Sequence, residues 1–416
     1  MNLPLTTTVP LSIAFLIGGV AILRSPFIGI LLIAILMPAE NFLLIGGRTY
    51  IWPLAIVTLG AWLLRLKFTS GRIRIACQPT FLAILWLFWG AVSFFWVADR
   101  RSFVERLILL AGFIVLFVLF QDLVRRAGQL KVLLLVYFIA SALFALFSIG
   151  FTLLSGLNRA VLTQAQSPNT LARELGIGLL LTPYVFHQLK GRCWKFFAMV
   201  GVGFLVVAIF LTGSRGTWIG LVMAFGFTWL ITRGRVIRFR SILVTLIILI
   251  ITIVSLNYFG IILDYSIERI VTLPSEVIQT ASGRWNVWRV GWELVKANPF
   301  VGVGLGNFPV RFEDYIDVSG LAGAYAISPG RGPHGIFLSV QGELGIIGFI
   351  IVLSFFWKIF RRLLIYQMDI RATIGILLLS FMFFSGISDT IQIKKFFCFA
   401  LSLASLIPLV IHNEKD

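Results

Sequence analysis

The residues of this chain best suited to chemistry are one histidine and a handful of arginines. Of the three histidines, His187 sits beside Lys190 and His412 falls in the C-terminal tail. His334 instead stands in Arg331-Gly332-Pro333-His334-Gly335, directly ahead of an apolar run at 336–356. An imidazole there suits a general base or a hydrogen-bond partner for a hydroxyl group, with a structural or interfacial role as the alternative. Arg215 occupies Gly213-Ser214-Arg215-Gly216, a tight turn between two apolar runs. Its charge must meet an anion, a water-filled cavity or a headgroup layer. Arg284 opens a tryptophan-rich helix, where helix-start N–H groups and a guanidinium together suit phosphate oxygens. Arg173, in Pro168-Asn169-Thr170-Leu171-Ala172-Arg173-Glu174, lies in the first turn of another apolar segment. The alternatives are an ion pair for Arg173 and snorkelling to headgroups for Arg215 and Arg284.

The elements that must position these residues are membrane spans. The 416 residues are 59% hydrophobic and 12% charged, with a mean hydropathy of +0.99, outside the range of soluble domains. Apolar runs long enough to cross a hydrocarbon core recur throughout, with clear examples at 81–97, 104–120, 131–154, 196–211 and 242–263. On that criterion there are roughly twelve or thirteen spans, the count being open where 9–23 and 26–45 are interrupted by Arg24, Pro26, Pro38 and Glu40. Residues 1–10 lack a basic segment, so a cleaved signal peptide is not expected. The fold class expected is an all-α polytopic membrane protein, 1–416 forming a single membrane domain.

The net charge of +18 does not mark a nucleic-acid binder, because the basic residues cluster in every second loop. Arg65, Lys67, Arg72 and Arg74 form one group; Arg125, Arg126 and Lys131 a second; Lys190, Arg192 and Lys195 a third. Arg233, Arg235, Arg238 and Arg240 follow, and then Lys358, Arg361, Arg362 and Arg371. This pattern assigns those loops to the cytoplasm. The intervening loops then face outward: 98–103, 155–169, the turn at 213–216, a long loop at 264–334, and 388–395.

The long loop carries Trp285, Trp288, Trp292 and Val295 at helical spacing, which predicts an amphipathic helix near 283–297, starting around Ser282. Asn298-Pro299 ends it, and Gly302, Gly304 and Gly306 follow in what reads as a flexible turn. Those glycines lack the preceding strand and helix-opening pattern of a phosphate loop. The tryptophans by themselves also suit a plain interfacial belt. The outer acidic run Glu313, Asp314 and Asp317 reads as solvated rather than ligating, and no second outer histidine completes a zinc set. No metal or other cofactor is expected. The three cysteines place no pair for an outer disulfide. Arginines and one histidine gathered at one outer surface, within an apolar surround, suit a polyprenyl diphosphate whose tail lies in the bilayer. Fixed guanidinium groups stabilise the charge that such a leaving group gains.

Four segments give the chain a resemblance to a known family. They are Ser167-Pro168-Asn169-Thr170-Leu171-Ala172; Gly213-Ser214-Arg215-Gly216-Thr217-Trp218; Gly283-Arg284-Trp285 running on to Asn298-Pro299-Phe300-Val301-Gly302-Val303-Gly304-Leu305-Gly306-Asn307-Phe308; and His334-Gly335-Ile336-Phe337-Leu338 to Gly342-Glu343-Leu344-Gly345-Ile346-Ile347-Gly348. Their order and spacing, over about 167–348, resemble the bacterial O-antigen ligase and O-antigen polymerase family. One departure is Gly335, where the family usually has Asn or Ser.

The resemblance implies a GT-C-like membrane fold in the bacterial inner membrane and an inverting, metal-independent glycosyltransferase. The donor would be an undecaprenyl diphosphate-linked glycan and the acceptor a sugar hydroxyl at the periplasmic face, on lipid A-core or on another lipid-linked glycan. By that similarity Arg215 and Arg284 hold the diphosphate and His334 orients or deprotonates the acceptor. Arg331, Arg173 and Asn169 join them as substrate-binding candidates. Glu343 is open between helix packing and orienting the histidine. A protein O-oligosaccharyltransferase is a variant of this reading. A transporter or flippase of the same lipid is the alternative class, and would place charged residues along a pathway in paired broken helices.

Overall fold

The apolar runs fold as α-helices, because in hydrocarbon a chain segment must satisfy its own backbone N–H and C=O groups. In the computed structural model the described residues are 18–39, 44–45, 48–49, 51–69, 73–157, 159–162, 167–234, 273–321, 330, 332–387 and 394–414, with side chains placed from 284 onward in the helix that begins at Leu273. The helices used below are α1 (Pro26–Leu36), α2 (Ile51–Thr69), α3 (Cys77–Val92), α4 (Arg100–Leu123), α5 (Ala127–Leu154), α6 (Pro168–Leu180), α7 (Thr182–Gln188), α8 (Arg192–Leu211), α9 (Arg215–Thr232), α10 (Leu273–Ala297), α11 (Phe308–Arg311), α12 (Ile336–Leu364), α13 (Ile370–Gly386) and α14 (Lys395–Asn413). Among the described residues the only strand pairing is Leu44–Ile45 against Arg48–Thr49.

Seven of the described helices are long and apolar enough to cross a membrane, and Pro26–Ala39 and Ile370–Gly386 are shorter apolar helices. The protein is a multi-pass membrane protein. The expected span at 242–263 lies outside the described residues, as does most of 9–23.

Burial separates the helices by position. In α14, 89% of the apolar window is buried, against 28% in α2, so α14 runs through the middle of the bundle and α2 along its edge. An all-round apolar sequence such as Phe396–Ile411 fits a helix with neighbours on every side. Those neighbours are α4, α5, α12 and α13, with Tyr137 of α5 stacked on Phe399 at 4.6 Å between ring centres.

At the basic end, Asp122 at the last turn of α4 is buried and ties three segments together. It accepts from Trp62 Nε1 at 2.7 Å and from the Arg74 backbone N–H at 2.8 Å, and pairs with Arg125. Asp122→Ala strands all three donors, and should cost about 2–3 kcal/mol given that Arg125 keeps some access to water. A lowered melting temperature of the detergent-solubilised protein is the expected readout; an unchanged one would contradict this role.

At the opposite end, α12 is broken. Gly345 has φ 63° and ψ −167° inside an otherwise helical segment, which releases the carbonyls of the turn before it. The glycine-rich segment after α10 takes them up: Val303 N–H donates to the Gly342 carbonyl at 2.9 Å and Gly304 N–H to that of Glu343 at 2.8 Å. Trp89 Nε1 of α3 donates to the Leu344 carbonyl at 3.0 Å, and Ile346 N–H to that of Pro299 at 2.8 Å. The turn is therefore pinned rather than flexible, and its N–H groups at Val303 and Gly304 serve protein carbonyls instead of phosphate oxygens. Gly302 has φ 71°, and a Cβ there would lie 2.5 Å from the Glu343 carbonyl oxygen. Only glycine allows the two segments to meet.

Asn307, fully buried, closes the loop against the start of α4. It accepts from the Asp99 N–H at 2.7 Å and donates to the Asp99 carbonyl at 3.1 Å and the Leu305 carbonyl at 3.2 Å. Asp99 in turn caps α4 through Ser102 and Arg101, and the hydrogen bonds from Ser102 hold its carboxyl below the usual range. Asn307→Ala removes the link between chain segments 208 residues apart. Amide exchange at Asp99 should then quicken about tenfold or more, corresponding to an opening free energy lower by about 1.4 kcal/mol. Exchange within a factor of two of wild type would contradict the link.

Candidate functional site

His334 sits just ahead of α12, between buried Pro333 and buried Gly335. Its φ is 47°, a left-handed conformation uncommon outside glycine and one that concentrates at functional sites. Trp288 of α10 fixes this backbone by donating from Nε1 to the His334 carbonyl at 3.3 Å. Gly335 lies against the end of α13, where a Cβ would stand 3.0 Å from the Ile387 carbonyl oxygen. That close approach accounts for glycine where the resembling family usually carries a side chain.

The tryptophan helix begins at Leu273, earlier than the Ser282 start that the spacing suggests, with Pro274 in its first turn where proline is well tolerated. It ends at Ala297, before Asn298-Pro299. Val287, Val290 and Leu294 form its buried face, packed with Phe308 and Phe312. Half-buried Arg284 lies one turn before Trp288, so both project from the same side of α10. The histidine and Arg284 thus share a neighbourhood through the Trp288 indole.

Arg215 is the first residue of α9, preceded by Gly213 at φ 61° and by Ser214, whose hydroxyl lies 3.0 Å from that of Thr217. The turn is tied to the preceding loop at Arg159 and Ala160. Ala160 N–H donates to the Leu211 carbonyl at 3.0 Å, and Arg159 reaches the Thr212 carbonyl at 2.6 Å and Asn169 Oδ1 at 3.2 Å. Arg173 is buried, with Nη1 donating to the Asn169 carbonyl at 3.3 Å. Asn169, Arg173 and Arg215 are thereby gathered around one turn. Arg159, which reading the sequence did not single out, joins them; the signal available was a basic residue in a loop assigned to the outer side.

Helix packing brings both halves to the same end. Gly220, little more than one turn into α9, packs on Ser385 of α13, and α13 ends at Gly386, with the following Ile387 beside Gly335. From there α12 and α13 carry Arg361, Arg362 and Arg371 to the far end, where Arg371 meets Asp369 at 2.7 Å and pairs with Glu414. Arg331 lies outside the described residues. Of the acidic run, Glu313, Asp314 and Asp317 are exposed, and Asp314 pairs with Arg311 at 2.9 Å.

Glu343 is not a partner of His334. It stands seven residues beyond Ile336, about 10 Å of helix rise from the start of α12, facing Arg106 and the Gly306 backbone. Its place is under the glycine-rich turn.

Residues 200–353 match the family model described as O-antigen ligase. Over that stretch the chain is similar to O-antigen ligases. No curated protein matches the chain. The match runs from α8 into α12, and so contains Arg215, Arg284, His334 and the broken helix at Gly345, while Asn169, Arg173 and Arg159 stand before it. That similarity supports a glycosyltransferase-like enzyme of the ligase or polymerase type.

Proposed function

We propose that this protein is an inverting, metal-independent glycosyltransferase that moves a glycan from undecaprenyl diphosphate to an acceptor sugar hydroxyl at the periplasmic face of the bacterial inner membrane. The observation that carries the reading is His334, held in a left-handed backbone conformation by Trp288 on the side of α10 that bears Arg284, within the O-antigen ligase match. The basic clusters at the far end of α12 and α13 support an orientation with His334 outside. Adding α1, α6 with α7, α9, α13 and the apolar runs at 9–23 and 242–263 to the seven crossing helices supports roughly twelve or thirteen spans in a GT-C-like arrangement. Residues 264–334 then form the large periplasmic loop.

Arg215 and Arg284 hold the diphosphate of the donor, with Arg331, Arg173 and Asn169 shaping the surrounding site. His334 accepts the proton of the acceptor hydroxyl as its oxygen attacks the anomeric carbon from the face opposite the diphosphate. The anomeric carbon–oxygen bond to the diphosphate breaks, its electron pair leaves with the diphosphate, and the configuration inverts. The guanidinium groups stabilise the leaving charge as it develops. The acceptor, lipid A-core for a ligase or a second lipid-linked glycan for a polymerase, decides which product forms.

The test is expression in strains lacking their own ligase or polymerase. Restored glycan on lipid A-core or restored long glycan chains is expected from the wild-type protein. Absence of transfer in both kinds of strain, at normal membrane expression, would overturn the assignment.

A further inference from the structure

Beside the histidine lies a groove of about 490 Å³ whose lining includes Trp285, Trp288, Arg289, Trp292, Glu293 and Gly335, within the usual size range of small-ligand sites. Trp285, Trp288 and Trp292 follow one another at helical spacing, and the outer two are 60% and 51% exposed. We propose that this groove seats the acceptor saccharide, an inference that rests on the transferase reading.

The lining matches the two-sided chemistry of a sugar ring. A pyranose has C–H faces that stack on indole rings, which offer large, rigid, amphipathic surfaces at little entropic cost. Its rim of hydroxyl groups needs donors and acceptors, which Arg289 and Glu293 supply on the groove wall. The same two charges weigh against a prenyl chain, because setting a hydrocarbon against them would cost hydration without return. Glu293 is anchored by Lys296 at 2.7 Å, which keeps a carboxylate oriented at the groove edge. Acceptor rather than donor follows from position. Gly335, the neighbour of the proposed base His334, lines the groove, whereas the proposed diphosphate anchors Arg215 and Arg284 do not.

The test uses the full-length protein in nanodiscs, as wild type, Trp292→Ala and Trp292→Phe. Each is titrated by saturation-transfer NMR with lipid-free core oligosaccharide released from lipopolysaccharide that lacks O-antigen, and separately with undecaprenyl phosphate. Trp292→Ala should weaken oligosaccharide binding about tenfold, Trp292→Phe should retain most of it, and undecaprenyl phosphate binding should be unchanged in both. Failure of the oligosaccharide to bind wild type, or equal binding by Trp292→Ala, would overturn the proposal and leave the tryptophans as an interfacial belt. Loss of undecaprenyl phosphate binding in Trp292→Ala would overturn it in favour of a prenyl groove. These readouts need no turnover. Binding that fails while wild type still transfers glycan in cells sinks the groove alone, and binding that holds without transfer sinks the transferase reading.

Discussion

Replacing His334 by glycine should remove glycan transfer while leaving the protein as stable as wild type or slightly more so. The expectation follows from two properties of one residue. The imidazole supplies general-base catalysis, whose loss is expected to lower turnover by about 10²–10⁴-fold. The backbone at φ 47° is one that glycine adopts without strain, so the substitution relaxes about 1 kcal/mol rather than adding to it. A purely structural histidine predicts the reverse pattern, reduced stability with residual transfer in proportion to folded protein. Arg284→Ala belongs to the same expectation. Removing one fixed donor to the developing diphosphate charge should lower turnover by about 10²–10³-fold, while Arg284→Lys, a point charge without the planar fork, recovers only part of it. Rates normalised to membrane expression, together with melting temperatures, separate the two patterns.

The largest effect on folding is expected from Gly345→Ala. The observed φ and ψ lie in a region that side chains strongly avoid, and a Cβ would run into the Phe300 carbonyl oxygen. Strain and overpacking together should cost about 4 kcal/mol or more, enough to unseat the glycine-rich turn and with it the loop that bears Arg284 and His334. A monodisperse, fully active Gly345→Ala protein would contradict the broken-helix description. Gly226→Ala is the matched control. It is a helical glycine with nothing near its missing Cβ, so it should be neutral or gain up to about 1 kcal/mol of helix propensity.

Hydropathy and charge were enough to read a multi-pass helical protein, because a bilayer leaves a spanning chain little choice beyond helices of a fixed minimum length. The candidate residues stand out for a related reason: an arginine such as Arg215, in a turn that the charge pattern assigns to the outer side, runs against the bias of the spans and demands an explanation. Other features left no trace in local pattern. That α14 is central depends on which helices surround it, and an apolar run such as 396–411 looks the same at the centre of a bundle or against lipid. The pinned turn at Gly302–Gly306 looks flexible by composition, since its rigidity comes from carbonyls freed some forty residues later by Gly345. Glu343 is nine positions from His334 in sequence, yet the helix turns it toward Gly306 and Arg106.

The most direct test is release of undecaprenyl diphosphate from a purified lipid-linked glycan donor by the protein in nanodiscs, with acceptor present and a chelator added. The account predicts that wild type releases one undecaprenyl diphosphate for each glycan transferred, undiminished by the chelator, and that His334→Gly and Arg284→Ala release almost none. Release at wild-type rates by both variants would contradict it.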